Sequence, residues 1–247
     1  DNVLIISVNN FHNRPVPEAR KRFRAWSKVA PNLVWRPNLG FGIWQRGLPR
    51  VAMDRAMEDM RMVAEHNAVG LMFDTVWGHW ATHGPHYYVL GRMAWNPYAD
   101  GEAILDDYYQ RAFGKAAAHM EAYWTLMEDT TEAFVYGDAG WREKYDEPFF
   151  AKADGFLDRA FAAVADEPEK YHKRIEFVKV GIDYTRLFTK AYDLMKRYHE
   201  SDKEDTQARD EARDIWLEKI RPLVAGGVAQ YPNALNRLFA GPVAGRA

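Results

Sequence analysis

The chain contains no cysteine. Disulfides and thiolate metal sites are therefore excluded, and the redox compartment is left undetermined. No apolar run approaches the roughly 20 residues that cross a bilayer, and no signal peptide pattern opens the sequence. There is no internal repeat and no low-complexity tract. Charge is nearly balanced, with 33 Lys and Arg against 35 Asp and Glu, a net of -2. No global field therefore recruits nucleic acid or an anionic membrane. The one basic run, "RKRFR" at 20–24, falls on an expected helix and reads as a solvated face. A phosphate loop is missing too. Gly40, Gly42 and Gly47 fit neither the P-loop nor the dinucleotide spacing, and Trp44 sits among them.

What is present is a globular composition, 47% hydrophobic and 28% charged. Its unusual feature is 14% aromatic residues, with nine Trp, thirteen Tyr and thirteen Phe. Aromatics fill cores, and they also make the flat platforms on which sugar rings stack. The chain opens with "DNVLIISV" and no initiator methionine, so a processed chain or an excerpt of a longer one is expected.

The character of the sequence changes near residue 98. Before it, "NVLIISV" (2–8), "NLVWRPN" (32–38) and "AVGLMFDTV" (68–76) read as buried strands. Between them, "PVPEARKRFRAWSKV" and "RVAMDRAMEDMRMVAEHN" carry apolar residues at helical spacing. Strand, helix, strand, helix, strand predicts parallel pairing with right-handed crossovers. From 99 onward only helices are expected, at about 99–114, 115–135, 149–165, 168–200 and 203–224, with a short last one. The 168–200 segment places Ile175, Val178, Ile182, Phe188, Tyr192 and Met195 along one stripe, as in a bundle helix. The expected division is thus residues 1–98 as a β/α part and 99–247 as an all-helical region.

Three parallel strands make a poor isolated sheet with two exposed edges. The expected fold is therefore α/β: the C-terminal βα units of a TIM (β/α)8 barrel, with the missing barrel half upstream of Asp1, followed by an all-α domain. In such a fold the loops at the carboxyl ends of the strands carry the chemistry. Here they are "NNFHNRP", "RPNLGFGIWQRG" and "DTVWGHWATHGPHYY", rich in Asn, His, Arg and Trp, while the loops at the opposite end are short.

The stretch running from Trp77-Gly78 through Tyr87-Tyr88, Trp95-Asn96-Pro97, Ala99-Asp100, Leu105-Asp106-Asp107-Tyr108-Tyr109, Phe113-Gly114 and Ala116-Ala117 to Met120 resembles a known family. It is similar to the C-terminal part of the DUF4838 proteins, the group that includes glycoside hydrolase family 163. "APNLVWRPN" at 30–38 fits the strand before it. The resemblance covers about residues 3–130. It implies a barrel carbohydrate-active enzyme similar to endo-acting β-N-acetylglucosaminidases, and a secreted, periplasmic or cell-surface location. It also implies that the acid/base carboxylates sit on middle strands, upstream of Asp1.

Site residues follow from the three loops. Asp74 ends the third strand and reads as a carboxylate for a sugar hydroxyl, or as a cap on loop amides. It is only a weak catalytic candidate, because no second carboxylate occurs in these loops and a glycosidase needs two. Trp44, Trp77 and Trp80 are candidate platforms, whereas Trp26, Trp95, Trp124 and Trp216 fall on helical stripes and read as packing. Asn10, His12, Arg36 and Asn38 end the first two strands and suit hydroxyls or an acetamido carbonyl. Trp35 and Arg36 must point to opposite faces of the sheet. His79 is expected to bond a sugar hydroxyl or Asp74, with His83 and His86 as loop and helix-start structure. Gly84 and Pro85 are expected to break the register that would align the three imidazoles, so no metal and no cofactor is expected.

The expected activity is hydrolysis of a glycosidic bond in an N-acetylhexosamine-containing glycan, with this chain supplying the substrate-binding half of the cleft. The expected partner is an oligosaccharide or glycoprotein glycan, with no nucleic acid and no membrane. A non-catalytic carbohydrate-binding protein is the alternative, and a metal-dependent hydrolase using Asp74 and the histidines is a third reading.

Overall fold

The structure is a computed structural model that describes residues 3–8, 16–37, 47–73, 78–132 and 140–225. Three strands, β1 (Ile5–Val8), β2 (Leu33–Arg36) and β3 (Gly70–Leu71), form one parallel sheet in the order β1-β2-β3. Ile5 stands opposite Leu33, and Trp35 opposite Leu71. The strands are shorter than their apolar runs, although Val69 N–H to Leu33 O and Met72 N–H to Trp35 O prolong the β2–β3 ladder at both ends of β3.

Helix α1 (Val16–Ser27) connects β1 to β2, and α2 (Met53–Glu65) connects β2 to β3. Neighbouring strands in sequence are neighbours in the sheet, and right-handed crossovers then put both helices on one face. The side-chain alternation agrees. Leu33 and Trp35 are buried with Phe23 of α1 and Met60 and Val63 of α2. The other face carries Ile6, Val8 and Met72, which remain 43%, 44% and 43% exposed. Trp35 therefore points to the helices, with Phe73 edge-on to it at 6.3 Å, and Arg36 points the other way.

The third connection differs from expectation. Residues expected to be loop belong to a helix, α3 (Trp80–Trp95), which runs straight through Gly84 and Pro85. Proline normally ends a helix because it has no N–H for the carbonyl four residues back, here Ala81. Two other helices pack closely at this point. Gly181 of α8 (Glu169–Glu200) sits so close to that carbonyl that a Cβ there would lie 2.5 Å from Ala81 O. Gly84 likewise lies under Tyr108 of α4 (Gly101–Phe113), where a Cβ would lie 2.7 Å from the phenol oxygen. The Gly-Pro pair is thus a docking surface for two other helices.

Beyond α4 the described chain is helical: α5 (Ala117–Glu132), α6 (Trp141–Lys144), α7 (Glu147–Ala163), α8, α9 (Thr206–Asp214), a π-helical stretch Ile215–Ile220 and α10 (Arg221–Ala225). Three starts use the same device. Asp100, Asp146 and Asp205 accept the N–H of Ala103, Phe149 and Ala208 at 3.2, 2.8 and 3.0 Å. The short last helix expected after 224 lies outside the described residues. The stripe of α8 is as expected: Ile175, Val178, Ile182, Phe188 and Met195 are buried and Tyr192 is half-buried.

One apolar cluster runs from Phe23 and Leu33 through α2, α3, α5 and α7 to α8 and Ile220. Fully buried Tyr145 reaches back across the sequence to donate its O–H to the Pro49 carbonyl, just before α2. Of the tryptophans read as packing, Trp124 and Trp216 are buried, whereas Trp26 is half-buried to exposed and Trp95 is 93% exposed. Trp95 follows Met93 by two residues, which turns it away from the buried face that Val89, Leu90 and Met93 make.

Candidate functional site

The carboxyl ends of the parallel strands are also where α1, α2 and α3 begin, so side chains in the first turns of these helices gather at that end. Arg36 closes β2 there, half-buried, on the face shared with Val8 and Met72. Among the described residues its neighbours on that face, Val8 and Met72, are apolar. Trp80 opens α3 and is 47% exposed, held edge-on to Tyr87 at 5.2 Å. One edge of the indole is packed and the rest is open to a ligand.

Beneath Trp80 lies a histidine ladder. Because the helix continues through Pro85, His79, His83 and His86 fall on one side of it, contrary to the expected break in register. All three are buried. The His83 ring lies 5.8 Å from His79 and stacks on Tyr87 at 5.5 Å and 13°. His83 Nδ1 lies 2.8 Å from Thr82 Oγ1. His86 Nδ1 accepts the N–H of Ala52 at 3.0 Å, which satisfies a backbone donor at the start of α2 and fixes the ring proton on Nε2. Burial pushes His86 down to about 3, with the Arg55 charge adding to it. Burial likewise holds His83 well below the usual imidazole range, with His79 and His86 adding. The His83 and His86 rings stay neutral at working pH, and His86, expected at a helix start, instead sits mid-helix, where it accepts the Ala52 N–H. Among the described residues no group of three or more His, Asp or Glu side chains is placed to hold a metal ion.

A second cluster was not legible as a site. Asp59 is buried on the inner side of α2, accepting from Arg20 Nε of α1 at 2.6 Å, with Arg55 Nε 3.5 Å from its other oxygen. Arg20 also meets Glu58 at 2.8 Å. Burial lowers the Arg55 pKa, with Asp59 opposing and the charges of Arg20 and Arg50 reinforcing the shift. A narrow cleft lined by Trp35, Pro37, Arg20, Arg55 and Asp59 opens above the network. The available signal was an aspartate three residues after Ala56 on a stripe of Ala56, Met60 and Val63. Arg20 and Arg55 face that stripe as its counter-ions, so the network locks α1 to α2 at the strand ends.

Of the expected site residues, Arg36, His79 and Trp80 are described, and all three lie at this end. Asn10, His12, Asn38, Trp44, Asp74 and Trp77 lie outside the described residues. The arrangement offers a cation beside apolar side chains and a half-open indole, with buried histidines beneath. Chemically it can hold a polar ligand with one flat apolar face.

No curated protein and no solved structure matches the chain. Residues 1–125 match the sequence model of the domain of unknown function DUF4838, and the chain belongs to that family.

Proposed function

We propose that the chain supplies the substrate-binding side of a glycoside hydrolase cleft, acting on a glycan that contains N-acetylhexosamine. The observation that carries this reading is Arg36 on the face it shares with half-exposed Val8 and Met72 at the strand carboxyl ends, with Trp80 half-open at the same end. An indole packs against the axial C–H face of a sugar, and a guanidinium donates to an acetamido carbonyl or a ring hydroxyl. The similarity of the 77–120 stretch to the family that includes glycoside hydrolase family 163 supports hydrolysis as the reaction.

We further propose that the sheet belongs to a closed β/α barrel. Sequential parallel order, both crossover helices on one face and an apolar opposite face support it, because a barrel buries that face in its interior. The catalytic pair then lies on strands other than these three. A non-catalytic carbohydrate-binding protein is the second reading. It is favoured by the buried carboxylate at this end, Asp59, being committed to Arg20 and Arg55.

The test measures binding of an N-acetylglucosamine-bearing glycopeptide by calorimetry, and sugar release by mass spectrometry. Arg36→Ala is expected to weaken binding about tenfold, one charge-assisted bond, with an unchanged melting temperature. Release is expected from a chain extended N-terminally to a full barrel and not from residues 1–247 alone. Unaltered affinity in Arg36→Ala sinks the site, and binding without release by the extended chain leaves the non-catalytic reading.

A further inference from the structure

Trp95 presents almost its whole indole to solvent at the end of α3, and Tyr98, in the turn that follows, is 66% exposed. Leaving two large rings in water forgoes the stability their burial would give, and adjacent exposed aromatics mark contact sites. Local structure keeps the indole open. Gly91, one turn before Trp95, contributes no side chain, and even a Cβ there would meet nothing within 4 Å. The turn is firm, with Ala99 N–H bonded to Asn96 O at 3.1 Å and Tyr98 N–H to Asn96 Oδ1 at 3.2 Å.

Beside these rings, between α3 and α4, runs a groove of about 390 Å³. Its walls are Tyr88 and Arg92 on α3 and Asp100, Ile104, Asp107 and Arg111 on α4. Neither ring lines the groove, but Arg92 stands three residues before Trp95 on α3 and Asp100, the cap of α4, follows Tyr98 by two, so helical spacing sets the aromatics next to its Arg92–Asp100 end. Tyr88 donates to Asp107 Oδ2 at 3.2 Å, Arg111 bonds the other carboxylate oxygen, and the Arg92 guanidinium lies 5.9 Å over the Tyr88 ring. The bond from Arg111 holds Asp107 below the usual carboxylate range, so it is an anionic acceptor across the working pH range.

We propose that this groove is a second carbohydrate-binding site, distinct from the strand-end site, that takes a neutral oligosaccharide with one ring stacked on Trp95. Two arginines face two carboxylates, so the groove has no net charge with which to select a nucleic acid or an acidic peptide. Its polar lining is wrong for an apolar helix. A row of donors and acceptors beside a flat ring matches vicinal hydroxyls on a sugar that has one apolar face. The site lies at the end of α3 away from the strand carboxyl ends, so a glycan held here extends the grip on a branched or polymeric substrate.

The experiment titrates N,N′,N″-triacetylchitotriose and mannotriose into the full chain carrying Arg36→Ala, reading tryptophan fluorescence and heat. Residual binding of one trisaccharide is expected, and adding Trp95→Ala should weaken it tenfold or more while leaving the melting temperature unchanged. Tyr98→Ala should weaken it less. Binding indifferent to Trp95→Ala, no binding of either sugar, or a fall in melting temperature that marks Trp95 as packed each overturns the proposal. So does self-association that disappears with Trp95→Ala, which would make the rings a protein contact. The strand-end reading fails separately, if Arg36→Ala changes nothing.

Discussion

Gly181→Ala puts the docking of α8 onto the proline-containing helix to a direct test. Two effects oppose each other. Alanine is favoured over glycine inside a helix by about 1 kcal/mol. Against this, the new Cβ would lie 2.5 Å from Ala81 O and 3.0 Å from Thr82 Cγ2, well inside ordinary contact. The nearest obstacle is a backbone atom, which has no rotamer to move to, so α3 and α8 must separate by about 1 Å within a close-packed core. Overpacking of this kind costs about 1–3 kcal/mol, and a backbone obstacle puts it near the upper end. The net expectation is a loss of about 2 kcal/mol, or about 4–8 °C in melting temperature for a domain of this size. Gly91→Ala is the matched control, since it carries the same propensity gain into open space. It should stabilise by about 1 kcal/mol. Thermal and urea unfolding of both variants measures the difference. If Gly181→Ala is neutral or stabilising like its control, the close approach is not what accommodates Pro85, and the reasoning fails.

The remaining predictions concern charge. The folded-state pKa of His86, about 3, lies below that of the unfolded chain, near 6.5. Its contribution is therefore complete above pH 6.5 and is lost as pH falls toward 3, at about 1.4 kcal/mol per pH unit. His83 shifts in the same direction. Denaturant unfolding between pH 7 and 5 should show falling stability, shallower by about one proton in His86→Gln; stability flat across that range would refute the buried-neutral assignment. Asp59→Ala leaves Arg20 and Arg55 without their shared carboxylate and should cost about 3 kcal/mol in urea unfolding. A loss below 1 kcal/mol would show that the network is effectively solvated. Arg142→Ala removes a two-pronged pair with Asp193, at 2.8 and 2.6 Å, together with a bond to Tyr145 O. Because this pair is partly exposed, only about 1 kcal/mol is expected from thermal unfolding.

The alternation of strands and helices before residue 98 was legible because each segment obeys its own pattern: a β-branched run for β1, a short apolar run for β2, and the Ala56, Met60, Val63 stripe for α2. The stripe of α8 was legible for the same reason. Helix α3 was not. Gly84 and Pro85 are local breakers, and only helices distant in sequence, through Tyr108 and Gly181, make them tolerable. Reading them as a break also misplaced the histidines, which share one face. Trp95 was misjudged because helical spacing establishes that a residue lies on some face, not that the face is covered. At the strand ends, Arg36 and Trp80 were identifiable by position. The Asp59 network was hidden because a carboxylate on an apolar stripe has no meaning until its counter-ions are located, and Arg20 comes from another helix.

The family match ends at residue 125, partway along α5, which runs on to Glu132. The fold continues across that limit. Ala81 and Thr82 belong to the matched part, while Gly181, which presses on them, belongs to the unmatched part. A protein trimmed to the matched residues would lose half of this lock and expose the inner side of α3 to water. Helices outside the matched residues can therefore be as indispensable as the portion by which the family is recognised. In relatives, what should persist is a small residue opposite the Gly-Pro pair, whatever else that segment becomes.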